Sequence, residues 1–175
     1  MVFGVSLATY TLIHVIISLI GIGSGFIVLF GMFGSKRLDG IAALFLATTA
    51  LTSLTGLGFP FERITPGIIL AILSLLVLAL TVPARYSFHM VGKWRSIYVV
   101  TAVIALYFNC VALVGQSFLK ISALHALAPT GNEPPFAIAE GILSVLFLVA
   151  GVLALKNFHP ADATSLARAA SGMKS

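Results

Sequence analysis

Charged residues divide the chain into long stretches that are uncharged or nearly so: 1–35, 40–61, 64–84, 96–119 and 134–155. The last of these contains a single charge, that of Glu140. Crossing a hydrocarbon core about 30 Å thick takes roughly 20 apolar residues in a helix. Each stretch reaches that length, so the pattern predicts five membrane-spanning segments.

The five segments are expected to be α-helices. Lipid offers the backbone no hydrogen-bond partner, so only helices and closed barrels span a membrane, and the stretches lack the apolar–polar alternation of barrel strands. The spans are predicted near residues 8–32, 41–58, 65–83, 97–118 and 136–156. Pro66 and Pro83 bracket the third span, near its first turn and just past its end, where a helix tolerates proline.

The composition indicates that lipid is the main solvent of the chain. Of the 175 residues, 59% are hydrophobic and 9% are charged, whereas a soluble domain has about 25% charged residues. So little polar surface cannot cover a water-facing exterior. The predicted fold class is an all-α, polytopic membrane bundle, with a transmembrane domain over residues 1–157 and a short tail over residues 158–175.

The basic residues predict the orientation of the bundle. With five spans and the N-terminus outside, eight basic residues fall on the cytoplasmic side: Lys36, Arg37, Arg85, Lys93, Arg95, Lys156, Arg168 and Lys174. Only Arg63 and Lys120 fall outside. This positive-inside bias predicts an odd number of spans and a cytoplasmic C-terminus. Anionic lipid headgroups also explain the pI of 9.7, so the basic balance does not predict a nucleic-acid partner.

Small and hydroxylated residues mark the faces on which the helices are expected to meet. Polar side chains are costly in lipid and tend to face other helices, and small residues let two helices approach closely. Gly21 and Gly25 share a face of the first helix, and Ser144 and Gly151 share a face of the last. The third helix offers only Ser74, so we expect it at the lipid-facing periphery.

The larger polar residues define a candidate ligand-binding pocket near the outer side: His14, Asn109, Gln116, Glu140 and, in the loop above, His125. A glutamate inside a membrane either keeps its charge through a partner or becomes protonated, and histidine changes its charge near neutral pH. One hypothesis is that Glu140 and His14 form a hydrogen bond in an outward-open pocket that holds a small ligand, a quinone head or a proton. The alternative is that Glu140 reaches water at the headgroups and His14 makes a local interhelical bond.

Cofactor signals in the sequence are weak. A bis-histidine haem needs two histidines that face each other at matched depth, yet only His14 lies clearly within a span, and His125 would have to fold inward. No H-x-x-x-H or C-x-x-C spacing indicates a zinc site. The sequence therefore predicts no metal site and no cofactor, with haem or quinone as alternatives, and it shows no catalytic motif.

Basic and aromatic residues are mixed in the segment between the third and fourth spans. Arg85, Lys93, Trp94 and Arg95 are predicted to lie at the membrane–water interface, where basic side chains meet anionic headgroups and tryptophan is enriched. A docking surface for another subunit is the alternative interpretation.

Two parts of the chain resemble proteins of unknown function. Residues 107–118, with the loop motifs at 128–130 and 133–136, resemble small hypothetical membrane proteins common in proteobacteria. The run from His89 to Arg95 is similar to predicted membrane proteins that carry a His-Arg-x-x-Gly-Arg motif before a span, with Met90 at the position of the first arginine. The resemblance implies a bacterial inner membrane and brings no known activity.

Three functions are compatible with these patterns. The leading expectation is a non-enzymatic accessory or scaffold subunit that packs against a partner membrane protein or a second copy, because small-residue faces are abundant and catalytic motifs are lacking. The second is a protein that handles a small ligand, a quinone or a proton in the outer pocket. The third is a haem-binding redox protein.

Overall fold

The computed structural model describes residues 4–60 and 65–160, and within them the chain is helical. The helices are α1 (Leu7–Phe33), α2 (Asp39–Leu57), α3 (Pro66–Tyr86), α4 (Lys93–Lys120), α5 (Ser122–Leu127) and α6 (Pro134–Asn157). All of these except α5 are long and apolar enough to cross a membrane. The predicted all-α bundle with five spanning helices is therefore confirmed. Arg63 and residues 161–175 of the predicted tail lie outside the described residues.

Proline lies at both ends of α3, but the helix extends further than the sequence suggested. Pro66 occupies the first turn, where its missing N–H has no helical partner to lose. Pro83 was expected just past the helix, whereas α3 continues to Tyr86. The Pro83 carbonyl accepts hydrogen bonds from the backbone N–H groups of Ser87 and Phe88, both at 2.9 Å. These two bonds close the last turn even though Pro83 itself cannot donate.

Helix α4 forms the centre of the bundle. It contacts α1, α2, α3 and α6. In its most apolar stretch of 18 residues, 50% of the residues are buried inside the bundle, whereas the corresponding share is 11% in α6. Its buried face includes Tyr98, Val99, Ala105 and Leu106, which pack against residues of the neighbouring helices. The outermost spanning helix is α6, which packs on α4 and touches α1.

The third helix, which was expected at the lipid-facing periphery, is more enclosed than α6. Helix α3 packs against both α2 and α4. In its most apolar stretch of 18 residues, 28% of the residues are buried, which is more than twice the share in α6. Its packing face consists mainly of the small residues Ala71, Ser74, Thr81 and Ala84. Alanine and threonine allow close helix approach in lipid as well as serine and glycine do, so a search for polar residues alone underestimated this face.

Three chain segments converge at one end of the bundle: the α1–α2 turn (34–38), the α3–α4 turn (87–92) and residues 158–160 after α6. Arg85 Nη2 donates to the Arg37 carbonyl at 2.9 Å, and the His159 N–H donates to Ser35 Oγ at 2.8 Å. We call this the basic end. Five alternating spans predict that the turn with Lys36 and Arg37 and the turn from Arg85 to Arg95 lie on the same side, and these contacts agree with that prediction.

Candidate functional site

His14 lies at the contact between α1 and α2. Its Nδ1 is 2.8 Å from Thr55 Oγ1, and its ring meets the Phe59 ring edge-on with centroids 5.3 Å apart. The Thr55 hydroxyl donates its proton within its own helix, to the Leu51 carbonyl at 2.7 Å. His14 Nδ1 is therefore the donor in the interhelical bond. This is the local interhelical role that the sequence left as the alternative.

Asn109 also serves helix packing. Its Nδ2 donates to Thr49 Oγ1 at 3.0 Å, which ties α4 to α2 in the buried core. The predicted pocket also included Gln116 and His125. Gln116 is exposed on α4, and His125 is exposed on α5. The structure therefore does not gather Asn109, Gln116 and His125 around one cavity.

Glu140 lies on α6, in a setting unlike that of His14. Its Oε1 atom is buried and has no hydrogen-bond partner among the described residues. No hydrogen bond joins Glu140 to His14 in the described part of the chain, so the geometry does not assemble the predicted outer pocket.

A groove between α4 and α6 starts one helical turn from Glu140. It encloses about 460 Å³ and is lined by Val103, Tyr107, Ser144, Phe147, Gly151 and Val152, among others. The Ser144 hydroxyl donates to the Glu140 carbonyl at 2.8 Å, and it lies 2.9 Å from the Tyr107 hydroxyl, which must then be the donor to Ser144. We call this cavity the α4–α6 groove. The small-residue face predicted on the last helix does face α4.

Arg85 is the residue whose position differs most from the sequence prediction. It was expected at the lipid headgroups, whereas its side chain is 1% exposed. Its Nη2 donates to Asp39 Oδ1 at 2.7 Å, and the guanidinium lies 5.0 Å from the centre of the Tyr98 ring. The residue is a buried cation that joins α3 to the start of α2. The reason is that Asp39 supplies a carboxylate that the local sequence around Arg85 does not reveal.

The other predicted interface residues lie near the surface of the basic end. Lys93 is exposed, and Trp94 stacks on the Phe88 ring with centroids 3.7 Å apart and planes 3° from parallel. Arg95 Nη1 donates to the carbonyls of Leu155 and Phe158, at 3.1 and 2.6 Å. Arg95 therefore caps the C-terminus of α6, whose last carbonyls have no partner within the helix.

A second cavity lies at the basic end. It encloses about 200 Å³, and its lining includes Arg37, His89, Gly92, Arg95 and His159. We call it the basic-end cavity. Arg37 was used only to predict the orientation of the bundle, and His89 and His159 were given no role in a predicted site. The available signal was that all three follow the ends of spans predicted to finish on the same side.

Glu133 organises the loop before α6. Its carboxylate accepts hydrogen bonds from the Thr130 N–H and hydroxyl, at 3.0 and 2.8 Å, and from the Asn132 N–H at 3.0 Å. Desolvation raises the pKa of Glu133, but the hydrogen bonds together outweigh it, so the pKa is lowered overall. The loop from Thr130 to Glu133 is thus fastened by an ionised carboxylate at neutral pH.

Within residues 4–60 and 65–160, no three side chains of His, Cys, Asp or Glu lie close enough together to hold a metal ion. Comparison with protein-family models, curated proteins and solved structures gave no match to this chain. The class defined by the fold is a multi-pass helical membrane protein. The α4–α6 groove and the basic end are the two candidate binding sites of the described residues.

Proposed function

We propose that this protein is a non-enzymatic accessory or scaffold subunit that binds a transmembrane helix of a partner membrane protein in the α4–α6 groove. The observation that carries the proposal is Glu140, whose buried carboxylate oxygen lacks a partner beside an otherwise apolar groove. An acyl chain can cover apolar side chains but cannot donate a hydrogen bond. A partner helix with a donor at the depth of Glu140 can do both.

The exposure of α6 supports the same location. Only 11% of the residues in its most apolar stretch of 18 residues are buried, and its large exposed side chains include Val145, Leu148 and Val152. In the groove, Ser144 and Gly151 are small, and a Cβ added to Gly151 would meet only Val103, at 3.6 Å. Small residues on such a face let a second helix approach closely, since association in lipid depends on packing and hydrogen bonds.

The proposed setting is a bacterial inner membrane with the basic end in the cytoplasm. The grouping of Arg37, Arg85 and Arg95 at one end of the bundle supports that orientation through the positive-inside rule. The pocket, quinone, proton and haem hypotheses gain no supporting contact, because His14 is bonded to Thr55 and not to Glu140.

Cysteine cross-linking in membranes of the native host tests the proposal. The background is Cys110→Ser, since Cys110 is the single cysteine of the chain. Val152→Cys places a thiol in the groove, and Leu80→Cys places one on the exposed face of α3. We expect the cysteine at position 152 to give one cross-linked product with a different protein, always of the same mass. We expect the cysteine at position 80 to give none.

Second-site variants show whether that adduct depends on the groove. Gly151→Phe fills the groove and is expected to abolish the adduct. Glu140→Gln is expected to weaken it by about tenfold, because the donor of the partner helix then meets a neutral amide oxygen in place of a charged carboxylate. Gly141→Phe is the matched control, because a Cβ at Gly141 meets nothing within 4 Å. The proposal fails if both cysteines give the same adducts, if Gly151→Phe has no effect, or if the adduct has twice the mass of the chain.

A further inference from the structure

We propose that the basic-end cavity binds a phosphate group, and that a phospholipid headgroup at the membrane edge supplies it. The cavity is lined by two arginines and two histidines, Arg37, Arg95, His89 and His159, and no acidic residue lies among the lining residues. Arginine presents a fork of N–H donors that matches the oxygens of a phosphate. This site is separate from the α4–α6 groove and does not depend on its role.

Within the described ranges, acidic side chains do not balance the positive charges of the basic end. Among the described residues there, the carboxylate of Asp39 faces the guanidinium groups of both Arg85, at 2.7 Å, and Arg37, at 3.4 Å. The shorter contact commits Asp39 mainly to the buried Arg85. Arg95 donates to backbone carbonyls and forms no ion pair with a described carboxylate. A bound phosphate would supply negative charge to Arg95, which has no described carboxylate partner, and to Arg37, whose contact with Asp39 is the longer of the two.

The N-terminus of α4 reaches the same cavity through Gly92. Gly92, which precedes the helix and lines the cavity, adopts a φ of 56°, and no side chain caps the first turn. That turn also contains no acidic residue. Unpaired N–H groups and the helix dipole favour an anion at a helix N-terminus. The arginines and this open turn therefore favour the same ligand chemistry.

An apolar rim favours a lipid over a free phosphate. Val91 lines the cavity and is 61% exposed, and Phe88 on the same turn is 43% exposed and stacks on Trp94. Apolar and aromatic side chains at the end of a membrane helix lie against the acyl and headgroup boundary. A cationic wall next to such a rim complements a phosphate that carries acyl chains.

Binding is measured on the full chain in a neutral detergent, after removal of bound lipid. Trp94 is the single tryptophan and contacts Phe88 at the rim, so its fluorescence reports on the cavity. The probes are dihexanoyl phosphatidic acid, the matching dihexanoylglycerol without phosphate, and inorganic phosphate. We expect a saturable change with phosphatidic acid and none with dihexanoylglycerol.

Two variants and one control locate the site. Arg37→Gln and His159→Gln are each expected to raise the apparent Kd for phosphatidic acid about tenfold, because each removes a hydrogen bond from a charged or ring N–H to an anionic oxygen. Lys120→Gln removes a positive charge at the far end of α4 and is expected to leave the Kd unchanged. His159→Gln keeps the backbone bond to Ser35 and the Asp39 contacts, so it reports on binding even if Arg37→Gln reduces folding.

The outcomes separate the two sources of phosphate. A response to phosphatidic acid alone supports a headgroup site, and a response to inorganic phosphate that is also weakened by Arg37→Gln supports a phosphate site filled from solution. The proposal is overturned if dihexanoylglycerol gives the same response, if Lys120→Gln weakens binding as much as the cavity variants, or if neither cavity variant changes the Kd.

Discussion

Asp39→Asn is expected to lower the free energy of unfolding by about 3 kcal/mol, because it leaves the Arg85 guanidinium buried without a counter-charge. Arg85 is 1% exposed, and Asp39 Oδ1 is its carboxylate partner at 2.7 Å. The expected loss is at the lower end of the range for buried pairs, since Asp39 itself is 68% exposed and water partly screens it. Unfolding in mixed micelles by titration with a denaturing detergent, followed by circular dichroism, measures the loss.

A second substitution distinguishes an unpaired charge from a general loss of packing. Arg85→Met in the Asp39→Asn background removes the buried charge and keeps a flexible apolar side chain beside Tyr98, so we expect at least about half of the lost stability to return. Arg37→Gln is the matched control. Its ion pair with Asp39 is long, at 3.4 Å, and exposed, so its loss is expected to cost less than about 1 kcal/mol. Additive losses in the double variant would show that the pair is not coupled.

Gly25→Val is expected to destabilise the bundle by about 3 kcal/mol, and Gly25→Ala by about 2, because added atoms overpack the contact of α1 with α2 and α4. A Cβ at position 25 would lie 2.5 Å from Leu106 Cδ1 and 2.9 Å from the Phe45 ring. Both of these neighbours are nearly fully buried, so moving either side chain aside disturbs the packing around it. The same detergent titration, with helicity checked at zero denaturant, gives the free energy of unfolding.

Gly23 provides a control on the same helix. A Cβ at Gly23 meets nothing within 4 Å, so Gly23→Ala is expected to be neutral or to stabilise α1 by up to about 1 kcal/mol through helix propensity. The two alanine variants differ only in position, two residues apart and on different faces of α1. Equal effects of Gly25→Ala and Gly23→Ala would show that α1 does not approach α2 and α4 at Gly25.

The spans and the grouping of their basic ends were predictable because both depend on local chemistry. Lipid excludes charge, so the uncharged stretches gave four of the spans to within a few residues of α1, α2, α4 and α6. The predicted end of the third span was three residues too early, since a proline in the last turn can still accept hydrogen bonds through its carbonyl. The turns after the first and third spans were then expected on the same side of the membrane, because each span reverses the side of the chain.

The contents of the candidate sites were less predictable, because a periodic pattern identifies a face of one helix but not the neighbour that it meets. His14 was assigned to a polar face correctly, yet its partner is Thr55 on α2 and not Glu140 on α6. Arg85 and its partner Asp39 are separated by 46 residues, so a local pattern could not show that this arginine is buried. The basic-end cavity required three separate segments to converge.

The most direct test of the bundle is thiol labelling from each side of the membrane. In a Cys110→Ser background, Lys36→Cys, Lys93→Cys and Lys120→Cys are treated with a membrane-impermeant reagent in right-side-out and inverted vesicles. The first two positions lie at the basic end and the third at the far end of α4. We expect positions 36 and 93 to react only in inverted vesicles and position 120 only in right-side-out vesicles. Labelling of positions 36 and 93 from opposite sides would contradict the five-span bundle, the orientation and the basic-end cavity together.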